Sequence, residues 1–581
     1  MKITLAQINT TPNDFEGNFN KIRNGIASAI REFADVVVFP ELTIPGYLVK
    51  DLVYTTGFIE KNLETLQRVV RLTDAHDNEH SPVVIVGYID YNTSGVGKPF
   101  RNMAAVIRNG VVIATYQKHL LPFYDVFDEG RYFEPGKDIC VFNINGNRCG
   151  IVICEDAWND KSQDDYSYLD NPIDRYRDAG VNYLFSINSS PYAQHKPHHR
   201  VEMLTKICAD RRNKPLNLIY VNQIGGQDEL VFDGHSMVIS NGEVIRYIQT
   251  DTIPNEKSNE NFVTVTVPPS IGGGGYINYH FEEDHLKMTL LGLRDYITKS
   301  GFKSVVLGSS GGVDSALVAT LATLAIGKEN VNCIMMPSCY SSEGSVKDAK
   351  ELHKRLGCKE FLVPIEHLNL TNHINRCFKF VDIVDLGANG DATPKIRQLV
   401  DYNKVADENI QARMRGQIVM HYSNAMGALA LTTGNKTELA TGYCTLYGDM
   451  NGGFNPIGDL YKMNVFGMCR LINTLFGNLI PEEIINKAPS AELKPGQTDE
   501  ASLLPYPILD NIVKLYIENY VTDYAQYCGL TNEERVASEK DYARITRLIY
   551  INEFKRRQAA PTIKLSKVAF GTGRRLPIVK R

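Results

Sequence analysis

A glutamate, a lysine and a cysteine stand at comparable places in the first half of the 581-residue chain. Pro40-Glu41 follows the β-type run Val36–Phe39, Lys118 follows Val111–Gln117, and Cys154 closes the apolar run that begins at Gly150. Each falls at the C-terminal end of an expected strand, and the three are expected to converge at one sheet edge. A thiolate can attack an amide carbonyl, a carboxylate can accept and return the proton, and an ammonium can steady the oxyanion. A thiol needs a neighbouring base or cation to react at neutral pH, and Glu41 and Lys118 would supply one of each. The chemistry this points to is amide cleavage. Each residue alone has a plainer use: a small buried hydrophobe, a strand-end lysine lying along apolar surface, a turn cap. The eleven cysteines are scattered with no CxxC pair, so they read as reduced thiols rather than a disulfide framework, and only its company singles out Cys154.

A different chemistry is written in the second half. Gly308-Ser309-Ser310-Gly311-Gly312-Val313-Asp314-Ser315 lies between an expected strand, Ser304–Leu307, and an expected helix, Ala316–Ala325. Adjacent glycines let backbone N–H groups turn inward, and the helix N-terminus adds the positive end of its dipole. The hydroxyls of Ser310 and Ser315 can donate to phosphate oxygens. The Gly-Lys-Ser/Thr ending of the ordinary P-loop is missing. Without that lysine the turn suits β,γ-pyrophosphate as a leaving unit better than γ-phosphoryl transfer, with Asp314 helping to bind Mg²⁺.

These residues need elements to place them. The first half carries β-type runs at Lys2–Ile8, Val36–Phe39, Val83–Tyr88, Met103–Arg108, Val111–Gln117, Gly150–Cys154, Tyr183–Asn188 and Leu218–Asn222. Helical spacing marks Asn18–Phe33 and Phe58–Thr73, and Asn109-Gly110 marks a hairpin, so a mixed α/β sandwich is expected. Pro268-Pro269 and Gly272–Gly275 place a boundary, giving domains at 1–267 and 286–581 with a linker at 268–285. Leu286, Leu290, Leu293 and Ile297 mark one helix face, and a strand at Val331–Met336 completes a parallel βαβ unit, the mark of a doubly wound domain. Val384–Tyr402 shows no periodicity and is expected to be a mobile loop. A net charge of −5 argues against nucleic acid as a partner, and neither a signal peptide nor an apolar run of membrane length is seen, so a cytoplasmic protein is expected. His198-His199 lacks a ligand partner at convincing spacing and reads as surface or channel histidine.

Ser310–Ser315 resembles the Ser-Gly-Gly-x-Asp-Ser signature of the N-type ATP pyrophosphatases, which adenylate a carboxylate or carbonyl and release pyrophosphate. Glu408–Arg413, Thr433–Glu438, Gly442–Asp449, Pro456–Lys462, Pro489–Leu493 and Glu553–Gln558 extend the likeness, so that from about Leu286 onward the chain resembles the NAD synthetases. The resemblance implies ATP contacts from Gly308, Ser309, Ser310, Gly311, Gly312, Val313, Asp314 and Ser315, and from Thr433, Lys462 and Ser490. It implies Mg²⁺ held by Asp314 and Glu438. It implies a deamido-NAD site lined by Asn409, Glu438, Tyr443, Cys444, Thr445, Leu446, Asp449 and Lys555. One departure stands out: Ser309 occupies the place where relatives usually have leucine, beside the loop rather than at its phosphate-facing positions.

Residues 1 to about 265 resemble the nitrilase superfamily through Phe39-Pro40-Glu41-Leu42, Tyr116-Gln117-Lys118 and Ile153-Cys154-Glu155-Asp156. That likeness implies an α-β-β-α sandwich with Glu41, Lys118 and Cys154 as its catalytic residues. Glu129, within Asp128–Gly136, would be a second carboxylate supporting Lys118 and the substrate. Tyr124, Ser190 and Lys196 match the glutamine-binding positions of the glutaminase branch, to which Tyr220–Asp233 also points. Together the two likenesses imply an enzyme that takes ammonia from glutamine and amidates AMP-activated deamido-NAD, giving NAD, AMP, pyrophosphate and glutamate. They also imply a homo-oligomer. The rival is a glutamine-dependent amidotransferase of the same ATP group with another carboxylate acceptor; the stretches around Asn409, Tyr443 and Lys555 weigh against it.

Overall fold

Valine- and isoleucine-rich runs become strands because β-branched side chains fit a pleated surface that is covered on both faces. The computed structural model describes residues 1–74, 81–158, 168–209, 216–249, 260–267, 281–377, 380–382, 395–397, 405–494, 497 and 499–580. Packing divides it into two units, residues 1–299 with 564–573, and residues 300–563 with 574–581.

In the first unit the elements run β1 (Lys2–Gln7), α1 (Phe15–Arg31), β2 (Val36–Val38), α2 (Phe58–Leu72), β3 (Val83–Tyr91), β4 (Phe100–Arg108), β5 (Val111–Gln117), β6 (Val141–Ile144) and β7 (Asn147–Ile153). There follow α3 (Pro172–Asp178), β8 (Tyr183–Asn188), α4 (Lys196–Cys208), β9 (Asn217–Asn222), β10 (Ile224–Gln227), β11 (Leu230–Asp233), β12 (Met237–Ser240), β13 (Glu243–Tyr247), β14 (Asn261–Thr266) and α5 (Phe281–Lys299). One six-stranded sheet has the order β14-β1-β2-β3-β4-β5 and the other β13-β12-β9-β8-β7-β6. Side-chain alternation sorts the core into three layers. Ile3, Leu5, Val36, Val38 and Ile85 of the first sheet meet Ile151, Ile153, Phe185 and Val221 of the second. On the outer faces, Val37, Val84 and Val86 meet Ile22 and Ile26 of α1 and Val69 of α2, while Leu184 and Leu218 meet Tyr176 of α3 and Leu204 of α4. This is the expected α-β-β-α sandwich; each fully buried aliphatic side chain contributes about 1.5–3 kcal/mol. At the expected hairpin, Asn109 and Gly110 have φ of +49° and +72°, the two left-handed residues a tight turn between β4 and β5 requires. The helix foreseen from Leu286 to Ile297 is α5; it packs on β10 and β11. Most of the expected linker, residues 268–280, lies outside the described residues.

The second unit holds β15 (Val305–Gly308), α6 (Val313–Ile326), β16 (Val331–Met335), α7 (Glu343–Leu356), β17 (Lys359–Leu362), α8 (His367–Cys377), β18 (Phe380–Asp382), β19 (Lys395–Arg397), α9 (Val405–Met426), β20 (Leu429–Ala430), α10 (Lys436–Thr441), α11 (Lys462–Phe476) and further helices beyond. Its sheet is parallel throughout, in the order β17-β16-β15-β20. Val306 and Ile334 face Val419 of α9, and the alternate residues face α6 and α7. The stretch Val384–Tyr402 lies outside the described residues except for β19, which pairs with β18.

Candidate active sites

Glu41 follows β2 and Lys118 follows β5 in one sheet, whereas Cys154 follows β7 in the other. The three therefore meet across the sandwich, which corrects the expected single sheet edge. Chain order tells where a strand ends; it does not tell which sheet the strand joins. Gly87 of β3 lets the Glu41 loop come close: a Cβ there would lie 2.3 Å from the Leu42 nitrogen.

The geometry centres on Lys118, fully buried, whose Nζ donates to Glu41 Oε1 at 2.7 Å and to Glu129 Oε1 at 2.8 Å. Burial alone would strip its proton, but the charges of Glu129 and Glu41 outweigh that and hold the ammonium. Glu129 is pushed up to about 7 by burial, with Lys118 pulling it down and Glu41 pushing further up. Tyr47 donates to its Oε1 at 3.1 Å, while its buried Oε2 has no partner among the described residues. Asn102 Nδ2 and the Ser189 N–H donate to the two oxygens of Glu41 at 2.8 and 3.1 Å. Cys154 is buried, and burial followed by the Glu41 charge raises its thiol well above the ordinary range, so the resting sulfur is protonated. Its φ of +46° places a non-glycine residue in the left-handed region, a strained turn at the end of a strand.

Asp156 fixes that turn. Its carboxylate accepts from the N–H of Ile153 (2.9 Å), from those of Leu120 (2.7 Å) and His119 (3.1 Å), and from the Tyr116 hydroxyl (2.8 Å). It thus ties the residue before Cys154 to the residues after Lys118, and burial pushes it up to about 6. Around the thiol, Tyr124 donates to Glu155 at 3.0 Å, and the Ser190 N–H donates to Asn222 at 2.9 Å. Lys196, first residue of α4, lies over the Trp158 ring at 5.4 Å; burial, then the Arg200 charge, lowers it to about 8. Of the two histidines, His198 is exposed beside Glu202 and His199 packs near Trp158.

In the second unit Gly311 has a φ of +79°, and a Cβ on it would lie 2.2 Å from the Ser345 carbonyl oxygen, so only glycine fits this turn. Ser315 Oγ accepts from the Ser310 N–H and donates to the Gly312 carbonyl, at 3.2 and 3.1 Å. α6 begins at Val313, and its first-turn Asp314 accepts from Lys462 Nζ and from Asn435 Nδ2, the latter at 3.0 Å. Lys462 opens α11 and reaches Glu438 as well, at 3.4 Å. The N-termini of α6 and α11 thus point into one place that holds one ammonium and two carboxylates. Glu438 is pushed up to about 8 by burial, against Lys462 and with Asp314; Lys462 is raised by the same carboxylates in spite of its burial. Thr433 sits two residues before the N-cap Asn435, while the Ser490 hydroxyl is turned to the Gln497 carbonyl at 2.6 Å.

The residues matched to deamido-NAD do gather. Asn409 and Asp449 accept from Thr445 Oγ1 and Thr445 N at 2.8 and 2.6 Å. Lys555 Nζ donates to the carbonyls of Gly442 and Cys444 at 2.7 and 2.8 Å, and the Leu446 carbonyl accepts from Arg413. Tyr443 donates to Asp499 at 3.3 Å. Several structural partners were given no role from the sequence alone: Tyr47, Asn102, Ser189, and, within the matched stretches, Asp156 and Asn435. For the last a signal exists, since Asn435-x-x-Glu438 is a capping box, and both of its bonds form.

Residues 2–252 match the carbon–nitrogen hydrolase family and residues 285–559 the NAD synthase family. Over 100% of its length the chain is 39% identical to the glutamine-dependent NAD(+) synthetase of Thermotoga maritima and 37% identical to that of a Synechocystis strain, covering 99% and 98% of those proteins. It is also similar to the solved structure of the glutamine-dependent NAD+ synthetase from Acinetobacter baumannii in complex with adenosine diphosphate. There the identity is 32% and the TM-score 0.72, over 99% of this chain and 98% of that one.

Proposed function

The chain belongs to the family of glutamine-dependent NAD(+) synthetases, and we infer that its two sites run the two halves of that reaction. Residues 1–267 supply the glutaminase and residues 286–581 the synthetase. One observation carries the residue assignment: a single buried ammonium, Lys118, is bridged by Glu41 and Glu129 beside a protonated, strained Cys154.

As the Cys154 sulfur bonds to the amide carbon of glutamine, its proton passes to Glu41 and Lys118 meets the developing oxyanion. Glu41 returns the proton to the leaving nitrogen, ammonia departs, and a glutamyl thioester remains. Glu41 then takes a proton from water, which frees glutamate and restores the thiol. The unpartnered Glu129 Oε2, together with Tyr124, Ser190 and Lys196, would hold the substrate's amino-acid end.

In the synthetase half ATP and deamido-NAD are joined through the nicotinate carboxylate, with pyrophosphate leaving over the loop Gly308–Ser315 and Lys462 holding its charge. Thr433 and Ser490 join that ATP site; Asn409, Tyr443 to Leu446, Asp449 and Lys555 line the deamido-NAD site. Ammonia then displaces AMP to give NAD. Asp314 and Glu438, whose carboxylates both reach the Lys462 ammonium, would hold Mg²⁺ beside it, since this ion takes one or two carboxylates and would complete its shell with phosphate and water. When bound it offsets phosphate charge. Among the described residues no helix is long and apolar enough to cross a membrane, and we take the chain to act as a cytoplasmic homo-oligomer. Incubation with glutamine, ATP and deamido-NAD should yield NAD, AMP, pyrophosphate and glutamate in equal amounts. Release of ADP and orthophosphate instead would refute the adenylation step.

A further inference from the structure

Two thiols of the second unit lie in contact away from either site. Cys333 of β16 and Cys358, the residue before β17, have sulfurs 3.8 Å apart. Cys333 is fully buried and Cys358 half-buried, so one sulfur is open to a small oxidant and the other waits behind it. Cys333 pairs in register with Glu360, two residues after Cys358, so all three side chains turn to one face of the sheet. On that face lies α7, and its His353 continues the chain of contacts: Nδ1 meets Glu360 Oε2 at 3.0 Å and Nε2 meets Ser309 Oγ at 2.9 Å. Ser309 is the departure noted beside the phosphate loop. Where leucine would only pack, the serine connects that loop, through His353 and Glu360, to the strand that follows Cys358.

We propose that Cys333 and Cys358 are a redox-modification site whose disulfide pulls β17 against β16 and, through Glu360, His353 and Ser309, weakens ATP binding at the phosphate loop. The oxidant is a hydroperoxide. Attack by the Cys358 thiolate on the O–O bond gives a sulfenic acid and releases an alcohol, or water when the oxidant is hydrogen peroxide. Cys333 then displaces the sulfenic oxygen as water, so two thiols lose two hydrogens and the peroxide takes up both electrons. The Cys333 thiol donating to Cys358 lowers the pKa of the outer thiol, which favours the first step. The effect on ATP rests on reading Gly308–Ser315 as the ATP loop; the crosslink does not.

The test uses the full-length Cys154→Ala protein, which removes the reactive thiol of the other site. After mild hydrogen peroxide and alkylation of remaining thiols, mass spectrometry of an unreduced digest should find a peptide pair joined through Cys333 and Cys358. The pair should vanish on reduction and be missing in a Cys358→Ser background. In ammonia-driven synthesis the KM for ATP should rise about fivefold on oxidation and recover on reduction, a change of the size that loss of one neutral hydrogen bond gives. No such pair, or a link through the exposed Cys339 instead, overturns the proposal. A complete crosslink with an unchanged KM overturns its effect on the loop. Reduced Gly311→Ala enzyme with an unchanged KM for ATP would fault the reading of the loop and leave the crosslink standing.

Discussion

Lys196 has a charge that its pocket can lose near neutrality. Because burial lowers it to about 8, the ammonium is present below that pH and disappears above it. If it grips the glutamine carboxylate, kcat/KM for glutamine falls about tenfold per pH unit above pH 8 as the charged fraction declines. Lys196→Arg, charged throughout, should abolish that fall; an unchanged profile would remove Lys196 from substrate binding. Asp156 gives a second residue-scale expectation. Its four bonds all come from donors, so Asp156→Asn sets an amide N–H against a donor and costs about 3 kcal/mol of stability. Glutamine-driven synthesis should fall at least as far as that loosened turn allows, while ammonia-driven synthesis holds; chemical denaturation and paired assays read both. Glu41, Lys118 and Cys154 were legible because their reactive types recur at strand ends. Tyr47, Asn102 and Ser189 were not, being common residues whose partners lie 82, 61 and 148 positions away.

Elements decide where these side chains meet. The hairpin at Asn109-Gly110 and the turn at Gly311-Gly312 could be read directly, because left-handed backbone leaves a compositional mark. Sheet membership left none: β2, β5 and β7 look alike as apolar runs, yet β7 lies in the facing sheet. The phosphate turn supplies the sharpest element-scale prediction. Gly311→Ala combines a positive φ, costing about 1–3 kcal/mol, with a clash against the Ser345 backbone. It should abolish synthesis from glutamine and from ammonia alike while leaving glutamine hydrolysis measurable; retained synthesis would show that the turn does not hold ATP.

At the scale of the whole molecule, packing gives two compact units, one built on facing sheets and one on a parallel sheet; residues 286–299 and 564–573, expected in the second domain, pack with the first. The reason for joining them is chemical. Free ammonia is mostly ammonium in neutral water and lacks the lone pair that attacks an adenylate, so nitrogen is best released and consumed by one protein. The most direct measurement of the division of labour is NAD synthesis by Cys154→Ala, assayed with glutamine and with an ammonium salt side by side. Activity should vanish with glutamine and persist with ammonium; synthesis that continues with glutamine would contradict the assignment of Cys154 as the nucleophile.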